Sequence, residues 1–171
     1  MNIYCKLAKQ AIENYIKKQE ILDVPQKLPA EFNKKAGIFV TIYNGKELRG
    51  CIGTYQPTKQ NLAKEIIDNA ISAATNDWRF GPITKEELPE LSYEVSVLEK
   101  PKQIEDIGKL DPKKFGIIVQ GINTRKSALL LPDLDGLDTI EKQLSACCQK
   151  ANIDPAQEQI AIFRFQTEKY I

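Results

Sequence analysis

The chain has 171 residues, of which 42% are hydrophobic and 27% are charged, the balance of an ordinary soluble globular protein with a real core. Its 24 basic and 23 acidic side chains give a net charge of +1, which excludes the basic excess that attracts duplex nucleic acid or an anionic membrane. We therefore expect neither a nucleic acid nor a membrane as a partner.

The chain contains four cysteines and no histidine. No apolar run approaches the roughly 20 residues of a membrane span. The stretch MNIYCKLAKQ lacks the pattern of a secretory signal, so we expect a cytoplasmic protein with reduced thiols. No CxxC pair is present, so we predict no metal site, and no cofactor is evident. Without histidine, any general base must be a carboxylate, lysine, tyrosine, thiolate or a partner's group.

The first third of the chain predicts a helix followed by a β-hairpin. Apolar residues recur at helical spacing through NIYCKLAKQAIENYIKKQE. Asn44 and Gly45 lie between the alternating runs GIFVTIY and KELRGCIGTY and predict a two-residue hairpin turn. That turn would pair Ile38 with Cys51. It would also place Glu47, Arg49 and Cys51 on one face of the hairpin.

The rest of the chain alternates strands with single helices. Thr58 is predicted to cap a helix over 59–75, and TKEEL predicts a helical turn that starts at Thr84. LSYEVSVLEKP predicts a strand, and FGIIVQGINTRKSALLLP predicts a second hairpin. A capping box at Asp138 predicts another helix, and QIAIFRFQTEKY predicts a closing strand. This order favours an α+β fold, with a mixed, largely antiparallel sheet packed with helices.

The stretch GKELRGCIGTY, residues 45–55, is the strongest candidate for a functional site. Cys51 is the candidate catalytic thiol, Arg49 a candidate stabiliser of its thiolate or of an anion, and Glu47 a weaker candidate base. The two glycines weaken a strand and leave room for a ligand or another backbone to approach the thiol. A free cysteine is also among the most buried residue types, so a packing role stays open. The binding candidates in this stretch are Leu48, Gly50, Ile52 and Gly53.

The stretch DWRFGP, residues 77–82, is the second candidate. Arg79 offers a forked donor to an anionic or planar ligand, and Phe80 lies next to it, so both are binding candidates. The alternative is that Trp78 and Phe80 fill the core while Asp77 and Arg79 cap helix ends.

The motif LRGCIGT at 48–54, preceded by GIFVTI at 37–42, resembles the signature of the Ammecr domain family. RFGPIT, EELPELSYEVSVLEKPKQI, LLLPDLDGLDT and CCQKANI match further blocks of that family in order. The resemblance covers nearly the whole chain, as a single domain over 1–171. It implies an α+β fold with a larger lobe and a smaller one, the smaller formed by an insertion. It also implies that the functional site lies at Leu48 to Gly53, while assigning no activity.

The ending LLLPDL…Q…KA resembles the short microbial form of the family, which is encoded with a Memo-type protein and a radical SAM enzyme in the AmmeMemoRadiSam system. This resemblance implies those two proteins as partners, and we expect a monomer or a homodimer. Two functions stay open. One is a partner-dependent component of a modification pathway that uses Cys51 as its thiol. The other is a non-catalytic module that binds a protein or ligand, in which RGCIG is structural.

Overall fold

The computed structural model describes all 171 residues, and the α+β fold expected from the sequence is confirmed. The helices are α1 (Ile3–Lys18), α2 (Leu62–Thr75) and α3 (Ile140–Ala151). The strands are β1 (Ile38–Asn44), β2 (Glu47–Thr54), β3 (Leu91–Leu98), β4 (Lys102–Ile104), β5 (Gly116–Gly121), β6 (Ser127–Leu130), β7 (Ile160–Phe165) and β8 (Thr167–Tyr170). None of the helices is both long and apolar enough to span a membrane.

The chain divides into two compact units, one of residues 1–98 with 168–171 and the other of residues 99–167. The first sheet has the strand order β2-β1-β3-β8, and the second has the order β4-β7-β5-β6. β1 pairs antiparallel with β2 and β3, and β7 pairs antiparallel with β4 and β5. The sequence suggested one sheet, but the chain forms two. The predicted closing strand is interrupted at Gln166, so that β7 belongs to the second sheet and β8 to the first.

The core of the first unit lies between its two helices and one face of its sheet. Alternate β1 residues Ile38, Val40 and Ile42 are fully buried there, as strand alternation requires. α2 begins three residues later than predicted, because Asn61 rather than Thr58 caps it by accepting the N–H of Lys64. Thr58 is therefore free for another role.

A buried carboxylate ties the segment after β2 to α2. Glu65 is only 1% exposed and accepts the hydroxyl of Thr54 at 2.6 Å and the N–H groups of Thr58 and Lys59, each at 2.8 Å. Burial raises the pKa of this carboxyl, but the hydrogen bonds outweigh that effect and the pKa is lowered. Thr58 thus anchors a loop to the side chain of Glu65 instead of capping the helix.

In the second unit, α3 packs on β5 and β6. The helix begins after Thr139, whose side chain accepts the N–H of Lys142, and not after Asp138 as predicted. Its C-cap is Asn152, whose φ of 53° is the left-handed conformation expected at that position. Cys147 and Cys148 are both buried on this helix.

Candidate functional site

The turn between β1 and β2 lies one residue beyond the predicted position. Asn44 pairs with Glu47, so Gly45 and Lys46 are the two central residues. Only Gly45 has a positive φ, of 60°, which is typical of a type II′ turn. The predicted turn at Asn44 and Gly45 is therefore wrong, although the hairpin itself is confirmed.

A β-bulge then shifts the register of the hairpin. Ile42 lies opposite Gly50. The next residue along β1 towards the turn, Tyr43, lies opposite Leu48. Arg49 is therefore the extra residue of the bulge. The predicted register is therefore wrong for two reasons, the different turn and this extra residue.

The register places Cys51 opposite Thr41, not opposite Ile38. Gly50 faces α2, so Cys51 lies on the other face of the sheet, away from the helices. The Thr41 hydroxyl oxygen lies 3.3 Å from the Cys51 sulfur. Cys51 is partly exposed, whereas the other three cysteines are buried. It is thus the most exposed of the four cysteines in the folded chain.

Asp77 joins the backbone of Cys51 to Arg79. Its Oδ2 accepts the N–H of Cys51 at 2.9 Å, while the Arg79 guanidinium donates Nε to Oδ1 at 3.0 Å and Nη2 to Oδ2 at 2.7 Å. The hydrogen bonds from Arg79 hold the pKa of Asp77 far below its ordinary value. Because β2 is an edge strand, this carboxylate also satisfies an N–H that no neighbouring strand reaches.

The loop that carries Arg79 leaves its aromatic residues outside the core. Trp78 is 90% exposed, so the alternative that it fills the core is wrong. Phe80 is half-buried, and the Arg79 guanidinium carbon lies 5.4 Å from the centre of its ring. The C-cap of α2, the helix before this loop, is Asn76, so neither Asp77 nor Arg79 caps it.

Arg49 holds the same loop to the bulge. Its Nε donates to Glu87 at 2.6 Å, and its Nη1 and Nη2 donate to the carbonyls of Gly81 and Pro82 at 2.9 and 3.3 Å. Nη2 also reaches the second Glu87 oxygen at 3.1 Å. Glu87 in turn accepts the N–H of Thr84, the side-chain half of the capping box predicted there. Arg49 is thus engaged in holding the chain together.

Both glycines beside the thiol are explained by close approach of the chain itself. A Cβ on Gly50 would collide with the carbonyl oxygen of Ala73 in α2. A Cβ on Gly53 would collide with the ring of Phe39. The sequence left open whether a ligand or another backbone uses this space, and in the folded chain it is occupied by protein.

The other residues predicted around the thiol are dispersed. Ile52 packs against the core of the first unit. Leu48 is 38% exposed on the strand before the bulge. Glu47 is exposed and, by its pairing with Asn44, lies on the face opposite Cys51, so the predicted common face of Glu47 and Cys51 is wrong.

The electrostatics of Cys51 come from four neighbours. Burial raises the pKa of its thiol; the Thr41 hydrogen bond and the Arg79 charge lower it, and Asp77 and Glu94 raise it. The net result is a raised pKa, so the thiol is protonated at neutral pH. Arg79, and not Arg49, is the cation that acts on it.

Sequence reasoning missed Thr41 and Glu94 as members of the site. Thr41 pairs with Cys51 on one side and with Glu94 of β3 on the other, so a thiol, a hydroxyl and a carboxylate form a row across three strands. The signal available was a polar residue inside the apolar run GIFVTI and an acidic one on the wet face of the next strand. Only the strand order brings them together.

The fold and this row describe an α+β protein with an accessible thiol on an edge strand, and comparisons identify its relatives. The AMMECR1 family profile matches residues 5–170, so the chain belongs to the AMMECR1 family. A Thermotoga maritima protein is 45% identical over 169 residues, covering 98% of this chain and 96% of that protein. A Clostridium acetobutylicum protein is 40% identical over 98% of this chain, which spans only 35% of that longer protein.

A solved structure shares the fold. The crystal structure of an uncharacterised protein from Pyrococcus horikoshii superposes with a TM-score of 0.87 and 34% sequence identity. The match covers 97% of this chain and 88% of that one. The resemblance noted in the sequence is thereby confirmed at the level of family and fold.

Proposed function

We propose that this chain is a partner-dependent component of a modification pathway, acting in the cytoplasm with a Memo-type protein and a radical SAM enzyme, and that Cys51 is its working thiol. The carrying observation is that Cys51 is the one partly exposed cysteine and lies in a polar setting of hydroxyl, guanidinium and carboxylate. The buried thiols of Cys5 and Cys147 donate instead to backbone carbonyls, those of Tyr170 and Ala128.

The raised pKa of Cys51 supports dependence on a partner. A protonated thiol is a poor nucleophile, and the chain has no histidine to remove the proton. A partner or ligand that displaces the negative charge of Asp77 or Glu94 from the sulfur would lower this pKa. Alternatively, a neutral thiol is the form from which a radical enzyme can take a hydrogen atom.

The test is the intact mass of the protein purified after co-expression with the Memo-type and radical SAM proteins. We expect an added mass that maps to Cys51, is absent in Cys51→Ser and persists in Cys148→Ser, a matched control in the second unit. Mild iodoacetamide at neutral pH should label Cys51 before the other cysteines. Labelling of the buried cysteines while Cys51 stays inert in the folded protein would contradict the proposal.

A non-catalytic binding module is the second candidate, and specific contacts favour it. Gly50 and Arg49 both have structural partners, so much of the RGCIG motif is explained by packing. The exposed Trp78 follows Asp77, which contacts the Cys51 N–H, and resembles the aromatic anchors of binding surfaces. A Cys51→Ser variant that keeps full partner binding and full pathway output would favour this function over the first.

A further inference from the structure

One nitrogen of the Arg79 guanidinium has no acceptor within the protein. Asp77 takes Nε and Nη2, while Nη1 makes no hydrogen bond. The Arg79 side chain is 42% exposed, so an external acceptor can reach it. Arg49 differs, because its Nε, Nη1 and Nη2 all donate to protein oxygens.

The guanidinium of Arg79 is held in a defined position. Asp77 is 4% exposed and is itself fixed by the N–H groups of Cys51 and Arg79. A planar fork held in this way loses little conformational entropy when it binds a further oxygen. Carboxylate and phosphate oxygens are the acceptors that match this geometry.

The held cation acts on the sulfur of Cys51. Oδ2 of Asp77 accepts both the N–H of Cys51 at 2.9 Å and Nη2 of Arg79 at 2.7 Å, so the guanidinium lies beside Cys51, and its charge lowers the pKa of the thiol. The free donor of Arg79 and the thiol of Cys51, whose residues share the Asp77 carboxylate, can bind one small molecule together. The donor would hold a charged group while the thiol meets the neighbouring atom.

We infer that the molecule Cys51 acts on carries a carboxylate or phosphate group, and that the free Nη1 of Arg79 binds this group. This inference rests on the proposed function, since it takes Cys51 as the reacting group. Arg79 is then the specificity-determining residue of the site. Asp77 is a positioning residue that sets the direction of the guanidinium.

The test compares two alkylating reagents that differ only in charge, iodoacetate and iodoacetamide. In both reactions a carbon–sulfur bond forms, iodide leaves with the electron pair of the carbon–iodine bond, and the thiol proton passes to solvent. The ratio of the two rates at one pH does not depend on the thiolate fraction. We expect this ratio at Cys51 to exceed that of N-acetylcysteinamide by about fivefold, the effect of one charge-assisted hydrogen bond near solvent.

Variants and a competitor locate the effect. Arg79→Gln should return the ratio to the reference value, and Arg125→Gln, an equal charge change at an exposed side chain in the second unit, should leave it unchanged. Inorganic phosphate should slow the reaction of Cys51 with iodoacetate but not with iodoacetamide. This competition uses the unaltered protein and so does not depend on the folding of a variant.

Two results separate failure of this inference from failure of the proposed function. Reaction with both reagents at the reference ratio, or an equal loss in Arg125→Gln, would refute anion recognition by Arg79 while leaving Cys51 a reactive thiol. Reaction of Cys51 with neither reagent in the folded protein would overturn the proposed function and this inference with it.

Discussion

Replacing Asp77 by Asn tests the contact that joins β2 to the loop of the site. The carboxylate accepts four hydrogen bonds, from the N–H of Cys51 and from three nitrogens of Arg79. Asn presents one oxygen and one NH₂ group. Whichever way the amide turns, two of the four N–H groups then face the amide NH₂ instead of an oxygen, and the negative charge is lost.

The magnitude follows from the bonds lost. A neutral hydrogen bond contributes about 1 kcal/mol and one to a charged group about 1.5 to 3 kcal/mol. The Arg79 side chain is 42% exposed, so its share must be discounted for solvent screening. We expect Asp77→Asn to lower the free energy of unfolding by about 2 to 3 kcal/mol.

The assay is urea unfolding of both proteins at several pH values. Because the pKa of Asp77 is lowered in the folded state, its contribution is complete above its ordinary value of 3.8 and is lost as the pH falls below that value. The difference between the two proteins should therefore shrink in acid. Asp106→Asn, at an exposed turn where an amide can also accept the N–H of Gly108, is the matched control. A difference under about 0.5 kcal/mol at pH 7 would refute the reasoning.

Three further predictions concern the same unit. Thr41→Val should move the midpoint of Cys51 alkylation to higher pH, because the Thr41 hydrogen bond lowers the pKa of the thiol; an unchanged or lower midpoint contradicts this. Gly50→Ala should lower the free energy of unfolding by about 1 to 3 kcal/mol or more, because the added Cβ collides with α2. Gly81→Ala, whose Cβ would contact nothing, should change the free energy of unfolding little, and equal effects of the two substitutions in urea unfolding would contradict this explanation. Trp78→Ala should leave the free energy of unfolding within about 0.5 kcal/mol of its original value, and a larger loss would show that this exposed ring packs in solution.

The elements of this fold were predictable because they depend on local patterns. Helical periodicity and strand alternation found the three helices and the hairpins, since those signals lie within a few residues. The bulge at Arg49 was not predictable in the same way, because its partner Glu87 lies 38 residues further along the chain. Register depends on such distant contacts, and one extra residue changes which side chains share a face.

The site itself was predictable only in part. Cys51 and Arg79 were both identified from local composition, but as members of separate stretches. Their connection runs through Asp77, which contacts a backbone N–H 26 residues away. A side chain that accepts from the main chain leaves no spacing pattern in the sequence. The row from the thiol to Glu94 depends on strand order, which local patterns do not contain.

The strand β8 has a consequence for how the chain folds as it is made. It closes the first sheet beside β3, although the whole second unit is translated between them. Ile171 and Tyr170 also accept hydrogen bonds from Asn2 and Cys5 at the other end of the chain. A ribosome that stalls before residue 167 therefore holds a nascent sheet with a bare flank, a template for wrong pairing with other chains. β3 therefore keeps an unpaired flank until β8 has left the ribosome.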